Sequence, residues 1–503
     1  MEALVCRNGR VAALGRAMDL RRDHPDAERV DLNGGLMTSG WHDSHVHFTW
    51  WAIQMGQIDL RDEPSIDAAL ARIESYARQL PPNAWVLGGR FDKNRWGRWP
   101  TATELDRATA GRPAALRSRD GHSRWLNTAA LRAAGIDAST AVPAGGAIER
   151  DASGTPLGIL KENANHLADR VIPQPGGDEL FAAVERGQRE AHRRGITAIE
   201  DLEQGAAFDA FQRRRDQGEL RIRVAMGVPH ASLDHALALG VRTGLGDEWL
   251  RIGHLKIFTD GALGSQTAAL EEPYEGTADR GLLTIDPQLL AADVRRAAEG
   301  GIAVAIHAIG DRAVRVALDA IAPTRTSHPA LRQRVEHAQL LRGEDIARFG
   351  ALDVIASMQP IHATSDRDLA DRYWGRARVA RAYPWRSLLD RGARLAFGSD
   401  APVEPIDPLL GIHAAVARQR PGDDHPWHPE EALTLDEAIA AYTSGAAYAM
   451  GMENDRGTLA VGMRCDATVV ERDLAVTPQG EWPDLQVTAT VVNGEIVHAD
   501  GVG

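Results

Sequence analysis

The sequence predicts an α/β fold: a (β/α)8 TIM barrel with a large insertion after its first strand, plus a small β-sandwich domain built from both chain ends. Eight short apolar runs, most of them followed by an amphipathic helical pattern, predict the barrel. The segment between the first two runs is far longer than an ordinary connection of ~2–6 residues, which predicts a folded insertion. Strand patterns near both termini predict the small domain.

The eight predicted barrel strands follow one another along the chain with helical patterns such as LLAADVRRAAEGG and AVRVALDAIAP between them. Glycine or proline closes each of these patterns, as expected at a helix end. The strands are the run that ends in His45-Val46-His47, then Gly195–Leu202, Leu220–Pro229, Leu250–Gly261, Gly301–Asp311, Arg334–Leu340, Asp353–Pro360 and Ala393–Pro402. A doubly wound open sheet is the alternative, and the number of strands favours the barrel.

The remaining regions complete the predicted organisation. The insertion covers about residues 59–187 and is rich in Arg, Trp and Gly, and we expect it to lie over the barrel mouth. Near the C-terminus two strand patterns flank a hairpin turn at Asn493–Gly494, and the N-terminus has a similar pattern. We therefore divide the chain into a composite small β-domain, residues 1–37 and 455–503, and a barrel, residues 38–454.

Composition restricts the partners. The formal net charge of -13 argues against nucleic acid or an anionic membrane surface. The two cysteines are too few for a disulfide framework and fit a reducing compartment. Neither a signal peptide nor an apolar run of about 18 residues is visible in the sequence. We expect a cytoplasmic protein that acts on a small molecule, and the sequence leaves a homo-oligomer open.

Metal-binding residue types occur at the ends of five of the eight predicted strands. In a TIM barrel these ends meet at the face that carries the chemistry. Because alternate side chains of a strand share a face, both histidines of the HVH motif can point at one centre, whereas His42 should point away. The candidate ligands are His45 and His47 on strand one, Lys256 on strand four, His307 on strand five, His337 on strand six and Asp400 on strand eight.

These residue types indicate the kind of metal. Imidazole and carboxylate ligands suit Zn²⁺ and other divalent first-row metals, and without neighbouring cysteines an open catalytic site is a better interpretation than a structural zinc cluster. Taken singly, each histidine could be a hydrogen-bonded core residue, Asp400 could cap a turn, and Lys256 could extend its amine to solvent. Their occurrence at the same end of five strands favours the metal site.

Lysine is rare in this chain, which makes each lysine a candidate for special chemistry. Among 57 lysine and arginine residues, only Lys93, Lys161 and Lys256 are lysines. An amine can lose its proton and act as a nucleophile, which a guanidinium cannot do. Chance retention is the alternative for any one of the three.

Several longer stretches resemble one known family across nearly the whole chain. The chain resembles the amidohydrolase superfamily, in its amidohydrolase-3 branch of YtcJ-like metal-dependent hydrolases that includes N-substituted formamide deformylases. The matching stretches are SGWHDSHVHF, GRFDKNRWG, RDGHSRWLNTAAL, GILKENA, KIFTDGALGSQTAAL, HAIGDRAV, RVEHAQL, FGSDAPVEP and GTLAVGMRCDATVVERD.

The resemblance implies a role for each candidate ligand. His45, His47 and Asp400 would hold the more buried ion, and His307 and His337 the more exposed one. Lys256 would carry a carbamate that bridges two metals, although some members of the family keep only one. A metal-activated hydroxide would attack the substrate carbonyl, and Asp400 would pass the proton to the departing amine.

Two features of the sequence bear on the assignment of these ligands to the family pattern. Deaminase-type members carry a glutamate three residues after the strand-five histidine, where this chain has Gly310 followed by Asp311, and this argues against nucleobase deamination. Lys161 and Glu162 in GILKENA are a rival source of a bridging carboxylate, but they lie in the insertion.

The insertion should shape the substrate pocket. Its polar and aromatic side chains are either substrate contacts or parts of a buried hydrogen-bond network that stabilises a lid; the candidates are His122, Asp92, Arg95 and Trp96. Tryptophans cluster in or beside this region, which predicts an apolar or aromatic group on the substrate; they are Trp50, Trp51, Trp96, Trp99 and Trp125.

We therefore predict a metal-dependent amidohydrolase, with one or two Zn²⁺ ions, that cleaves a non-peptide C–N amide-type bond of a small molecule. The same site could support hydrolysis of an ester or lactone C–O bond. A non-catalytic scaffold that retains the fold is the alternative from another class. A missing ligand would favour the scaffold, and no ligand is missing from the sequence.

Overall fold

The structure is a computed structural model that describes residues 2–203 and 205–501. Its strands are β1 Ala3–Arg7, β2 Arg10–Gly15, β3 Leu36–Ser39, β4 Trp41–Val46, β5 Ile58–Asp59, β6 Val86–Phe91, β7 Ala114–Ser118, β8 Ser123–Leu126, β9 Gly146–Arg150, β10 Pro156–Glu162, β11 Ile196–Asp201, β12 Arg223–Pro229, β13 Leu250–Phe258, β14 Val304–Ala308, β15 Arg334–His337, β16 Ile355–Met358, β17 Arg394–Phe397, β18 Ala467–Val470, β19 Val487–Val492 and β20 Glu495–Ala499.

The helices alternate with the barrel strands and also flank the other sheets. They are α1 Ala17–Asp23, α2 Phe48–Gln54, α3 Ile66–Gln79, α4 Lys93–Trp96, α5 Ala102–Thr109, α6 Thr128–Ala134, α7 His166–Asp169, α8 Gly177–Arg193, α9 Gly205–Asp216, α10 Leu233–Ala238, α11 Pro287–Glu299, α12 Asp311–Ser327, α13 Gly343–Ala351, α14 Pro360–Tyr373, α15 Arg376–Val379, α16 Trp385–Asp390, α17 Pro408–Ala417, α18 Leu435–Tyr442 and α19 Ser444–Ala449.

Eight parallel strands form the barrel, in the order β4, β11, β12, β13, β14, β15, β16 and β17. The end of β17 returns to β4, where the Asp400 amide donates to the His45 carbonyl over 2.8 Å. The Ser44 hydroxyl also donates to the Phe397 carbonyl over 2.8 Å. Every strand that the sequence predicts for the barrel is present in the predicted order, so the (β/α)8 fold is confirmed.

The barrel helices begin at residues that favour a helix N-terminus, and α11 is an example. In α11 the Asp286 carboxylate accepts hydrogen bonds from the amides of Gln288 and Leu289, and Pro287 occupies the first turn. Leu290 and Val294, four residues apart, share the buried face of this helix. Helices of this kind cover the apolar outer surface of the strands and form the largest buried cluster of the molecule with them.

The insertion is a folded unit, as predicted. Its sheet has six strands in the order β5, β6, β7, β8, β10 and β9, packed around Phe91, Trp125 and Ile159. The Arg119 guanidinium pairs with Glu404, which follows the last barrel strand, over 2.5 Å and so ties the insertion to the barrel rim. The predicted end of the insertion, near residue 187, falls inside α8, which packs on α2 and α9 against the barrel wall.

Both chain ends pair in a small β-structure. β3 from the N-terminal part pairs antiparallel with β18, in a four-stranded sheet of order β20, β19, β18 and β3. Asn493 and Gly494 connect β19 to β20 with φ of 54° and 81°, as expected of the predicted hairpin turn. The β1–β2 hairpin is a separate sheet, held by the hydrogen bond from the Cys465 amide to the Gly9 carbonyl. None of the described helices is long and apolar enough to cross a membrane.

Candidate metal centre

The six predicted ligands gather at the carboxyl ends of the barrel strands. The Nε2 atoms of His45 and His47 each lie 3.4 Å from Asp400 Oδ1. Lys256 Nζ lies 3.3 Å from His45 Nε2. Ligand atoms of His45, His337 and Asp400 lie within 4.8 Å of one another, and all three side chains are buried.

His307 continues the cluster on the next strand. Its ring centroid lies 4.5 Å from that of His337, which in turn lies 4.7 Å from the ring of His45. Its Nε2 atom is 3.1 Å from the Gly261 carbonyl, to which it donates, so that Nδ1 is the nitrogen left for a ligand. The structure therefore brings all six side chains to one region.

The backbone is strained where two of these side chains are presented. His337 has φ of 71° and Asp400 has φ of 57°, in the left-handed region that residues with a side chain rarely adopt. Such conformations persist when the surrounding structure imposes them, and they concentrate at functional sites. Here His337 is the last residue of β15 and Asp400 lies three residues after β17, where the chain leaves the strands at the carboxyl face of the barrel.

Hydrogen bonds on the far side of three histidines set their orientation. Nδ1 of His45 bonds to Glu336 over 2.5 Å, and Nδ1 of His47 bonds to Glu203 over 2.9 Å. Nδ1 of His337 donates to the Gln359 side-chain carbonyl over 2.7 Å. Because each ring donates through Nδ1, the lone pair is on Nε2. In this tautomer Nε2 is free to bind a metal ion. Carboxylate or carbonyl partners on the other ring nitrogen are typical of metal-binding histidines.

The charges of the cluster suit a cation. Burial raises the pKa of Asp400, but His45 and the neighbouring histidines outweigh that effect and hold the pKa well below its ordinary value. Burial lowers the pKa of His307 and of His337 well below the ordinary value, so both rings are neutral at pH 7. Burial likewise lowers the pKa of Lys256 to about 8. Asp400, His307 and His337 are thus in the deprotonated form that binds a metal, and the amine of Lys256 loses its proton more readily than an exposed lysine does.

Sequence reasoning missed several polar groups that support the centre. His362 Nε2 lies 3.7 Å from Asp400 Oδ2, on the first turn of the helix after β16. The only sequence signal was its position two residues after the predicted barrel strand Asp353–Pro360. Glu203 and Glu336 also sit at strand ends, but only the structure shows which histidine each one contacts.

The residues predicted for the substrate site are dispersed. A cavity of about 1440 Å³ lies between the insertion and the barrel mouth, and Asp92, Arg95 and His122 line it together with Trp50 and Trp99. Trp96 is not among the described lining residues. It stacks on Phe91 at 5.6 Å and donates its ring N–H to the Glu63 carbonyl, in the core of the insertion.

His122 is the member of this set that lies nearest the centre. Its ring lies 5.2 Å from that of His307, and its Nδ1 bonds to Glu162 over 2.7 Å. Burial lowers the pKa of His122, but Glu162 outweighs burial and the pKa rises to about 9. The other oxygen of Glu162 accepts from Thr267, and Lys161 pairs with Glu149 over 2.5 Å. Both residues of the rival pair are therefore already partnered.

Comparison with known proteins decides the family. The model of the amidohydrolase family matches residues 28–498. The chain belongs to this family. This amidohydrolase is 33% identical to YtcJ of Bacillus subtilis strain 168, over 99% of the chain and 96% of that protein. It is 31% identical to N-substituted formamide deformylase of Arthrobacter pascens, over 98% of the chain and 94% of that enzyme.

A solved structure gives the same result. The crystal structure of an uncharacterized metal-dependent hydrolase from Pyrococcus horikoshii OT3 superposes with a TM-score of 0.77 at 29% identity and covers 95% of each chain. The resemblance inferred from the motifs is confirmed, and family membership with these relatives supports a metal-dependent hydrolase.

Proposed function

We propose that this amidohydrolase cleaves a non-peptide C–N amide-type bond of a small molecule with the help of a divalent metal, most simply Zn²⁺. The observation that supports this best is the approach of His45 Nε2 and His47 Nε2 to the same oxygen of Asp400, at 3.4 Å each. Buried imidazole and carboxylate donors converge in this way where they share a cation. The deformylase from Arthrobacter pascens is named for an amide substrate, which supports the same type of bond.

The donor set fits either one ion or two. His45, His47 and Asp400 would hold one ion, and His307 and His337 would hold a second. A carbamate on Lys256 would supply an anionic bridging ligand between them, and the buried amine of this lysine, with its lowered pKa, is suited to that modification. A bound divalent ion would polarise the substrate carbonyl and lower the pKa of the water that attacks it.

Asp400 would act as the general base and then the general acid. Its pKa lies well below the ordinary value, so the carboxylate is ionised at neutral pH and can accept a proton. His362 Nε2 lies 3.7 Å from its other oxygen and could hold the carboxylate in position through the transfer. The departing amine needs a proton, and Asp400 would supply the proton that it accepted from water.

A panel of small substrates tests this proposal. N-formyl and N-acyl amines and their matched esters would be incubated with the purified protein, with and without a chelator, and the released amine or alcohol measured. We expect chelator-sensitive release of amine, restored when Zn²⁺ is added back. Preferential release of alcohol from esters would support the C–O hydrolase instead. Turnover of amides that withstands complete removal of metal would contradict the proposal, and no turnover in any arm would favour the scaffold.

A further inference from the structure

Of the partly or fully buried arginines that line the cavity, Arg117 alone has no ion-pair partner among the described residues. Most arginines on the cavity wall are neutralised: Arg119 pairs with Glu404 over 2.5 Å and Arg124 pairs with Asp169 over 2.6 Å. The guanidinium of Arg117 also lines the cavity, yet no carboxylate of the described residues lies within ion-pair distance of it. Its charge is therefore left for something that enters the cavity.

Arg117 is held on the side of the cavity that borders the metal centre. It lies on β7, directly opposite Arg124 on β8, so both arginines project from the same face of the insertion sheet. Its Cζ atom stacks 4.5 Å above the ring of Trp50, and that ring lies 5.7 Å from the ring of His47. The guanidinium is therefore within about 10 Å of a candidate metal ligand.

The surroundings of Arg117 leave its charge uncompensated. Burial lowers the pKa of Arg117 to about 10, which still leaves it charged at neutral pH. Glu203 and Asp169 act on it from a distance, but Glu203 is bonded to His47 and Asp169 to Arg124. A desolvated charge without a partner is unfavourable, and an anion that pairs with it gains correspondingly.

We propose that Arg117 binds a carboxylate of the substrate, so that the natural substrates are amides with a carboxylate a few atoms from the scissile bond. This inference deepens the proposed function and rests on it. A guanidinium and a carboxylate form paired, parallel hydrogen bonds of defined geometry. The guanidinium lies within about 10 Å of the ring of His47, and this short distance limits the separation of the carboxylate from the scissile bond to a few atoms.

A single partly buried guanidinium beside the centre favours a carboxylate over a phosphate, because a dianion would call for a second cation there. Arg95 also has no ion pair, but it is exposed and donates to the Arg61 carbonyl over 3.1 Å. Lys93 is the rival anchor, since its ammonium lines the same cavity and donates to Gln266 over 3.3 Å. Lys93 lies against Trp99 and Tyr373, whereas Arg117 lies against Trp50, whose ring is next to the candidate ligand His47. The geometry therefore favours Arg117.

Matched substrate pairs test the assignment. In the first arm each N-formyl amino acid would be compared with its neutral amino-acid amide, which places the carboxylate on the amine side of the scissile bond. In the second arm the monoamide of a dicarboxylic acid would be compared with the diamide, which places the carboxylate on the acyl side. We expect Arg117→Gln to lower kcat/KM for the better carboxylate series by about 100-fold, mainly through KM, and to leave its neutral partners within about twofold. Arg117→Lys should retain part of the preference. Arg107→Gln, an exposed charge change on the same insertion, should behave as wild type.

Three results would overturn the inference while leaving the proposed function intact. The first is an equal loss of kcat/KM on charged and neutral amides in Arg117→Gln. The second is a wild type that does not prefer carboxylate substrates. The third is a loss of kcat/KM on carboxylate substrates in Lys93→Gln and not in Arg117→Gln. If no amide is cleaved by any variant, the proposed function fails and calorimetric titration with an N-acyl amino acid decides the inference separately. Binding to wild type that Arg117→Gln weakens would support it, and equal or absent binding would refute it.

Discussion

His45 donates its Nδ1–H to the Glu336 carboxylate over 2.5 Å, and both side chains are fully buried. Arg334 pairs with the other oxygen of Glu336 and, over 2.8 Å, with Glu200, so the carboxylate is balanced by a cation inside the barrel. Burial raises the pKa of Glu336, but the charge of Arg334 first, and then His45, outweigh it and hold the pKa well below its usual range. The pair therefore orients the ring of His45 towards Asp400.

Replacing Glu336 with Gln should weaken metal binding without removing a ligand. An amide accepts a weaker hydrogen bond from His45 and leaves Arg334 short of one counter-charge, so the affinity should fall about 10–100-fold. Competition with a chelating dye measures the affinity directly. Glu299→Gln, an exposed carboxylate on α11, is the matched control. An unchanged affinity in Glu336→Gln would show that the pair has only a structural role.

Replacing Asp400 with Asn should abolish turnover while the fold persists. The amide cannot accept a proton at neutral pH and binds a divalent ion poorly, so kcat should fall by about 10³-fold or more. Steady-state rates on the best amide of the panel measure the loss, and circular dichroism checks the fold. Asp436→Asn, an exposed residue on α18, serves as the control. An Asp400→Asn variant that keeps full activity would remove this carboxylate from the mechanism.

Lys256→Ala should reduce the amount of metal bound per chain, since a bridging carbamate cannot form on alanine. Short carboxylic acids or bicarbonate should restore part of the bound metal, because they can occupy the space left by the Lys256 side chain and supply a carboxylate there. Elemental analysis after gel filtration, with and without added acetate, measures both effects. Lys161→Ala, whose ammonium pairs with Glu149, should keep its metal. Full metal occupancy in Lys256→Ala would exclude the bridging role.

The fold and the convergence of the six candidate ligands were predictable because they depend on local patterns. A strand that ends in HVH, or a glycine that follows a helical run, is visible in a few consecutive residues. The convergence of Lys256, His307, His337 and Asp400 then follows from barrel geometry alone, which places all strand ends on one face.

The supporting contacts were not predictable, because each joins elements remote in sequence. The pairing of His47 with Glu203, or of Arg117 with the face of Trp50, depends on side-chain directions that no local pattern records. The sequence left two roles open for Trp96, a substrate contact or a part of the insertion's own packing. Its contacts with Phe91 and the Glu63 carbonyl favour the second role. The end of the insertion was equally hidden, because α8 is a continuous helix across residue 187.

The buried ion pair between Arg223 and Asp466 should hold the small β-structure on the barrel. Arg223 donates twice to Asp466, over 2.6 and 2.9 Å, and both side chains are buried. Asp466→Asn leaves an uncompensated guanidinium and should cost roughly 3–5 kcal/mol in the free energy of unfolding. Urea unfolding followed by tryptophan fluorescence measures it against Asp484→Asn, an exposed control. A loss below about 1 kcal/mol would mean that water replaces the missing partner.

His42 should make the protein sensitive to acid. It is fully buried, and burial first, then the nearby Arg456 and Arg223 against the opposing effect of Asp466, lower the pKa of His42 to about 3. The unfolded chain binds a proton near pH 6.5, so stability is retained above that pH and is lost as the pH falls towards 3. By pH 5 the loss attributable to this one group is roughly 2 kcal/mol.

Replacing His42 with Met should therefore remove part of the pH dependence, whatever it does to stability at neutral pH. The free energy of unfolding would be measured in urea at pH 7.5 and pH 5.0 for both proteins, with chelator present so that metal release does not contribute. We expect the wild type to lose roughly 2 kcal/mol more than His42→Met between the two pH values. An exposed control, His235→Asn, should follow the wild type. Equal losses in wild type and His42→Met would show that the folded protein protonates His42 as readily as the unfolded chain does.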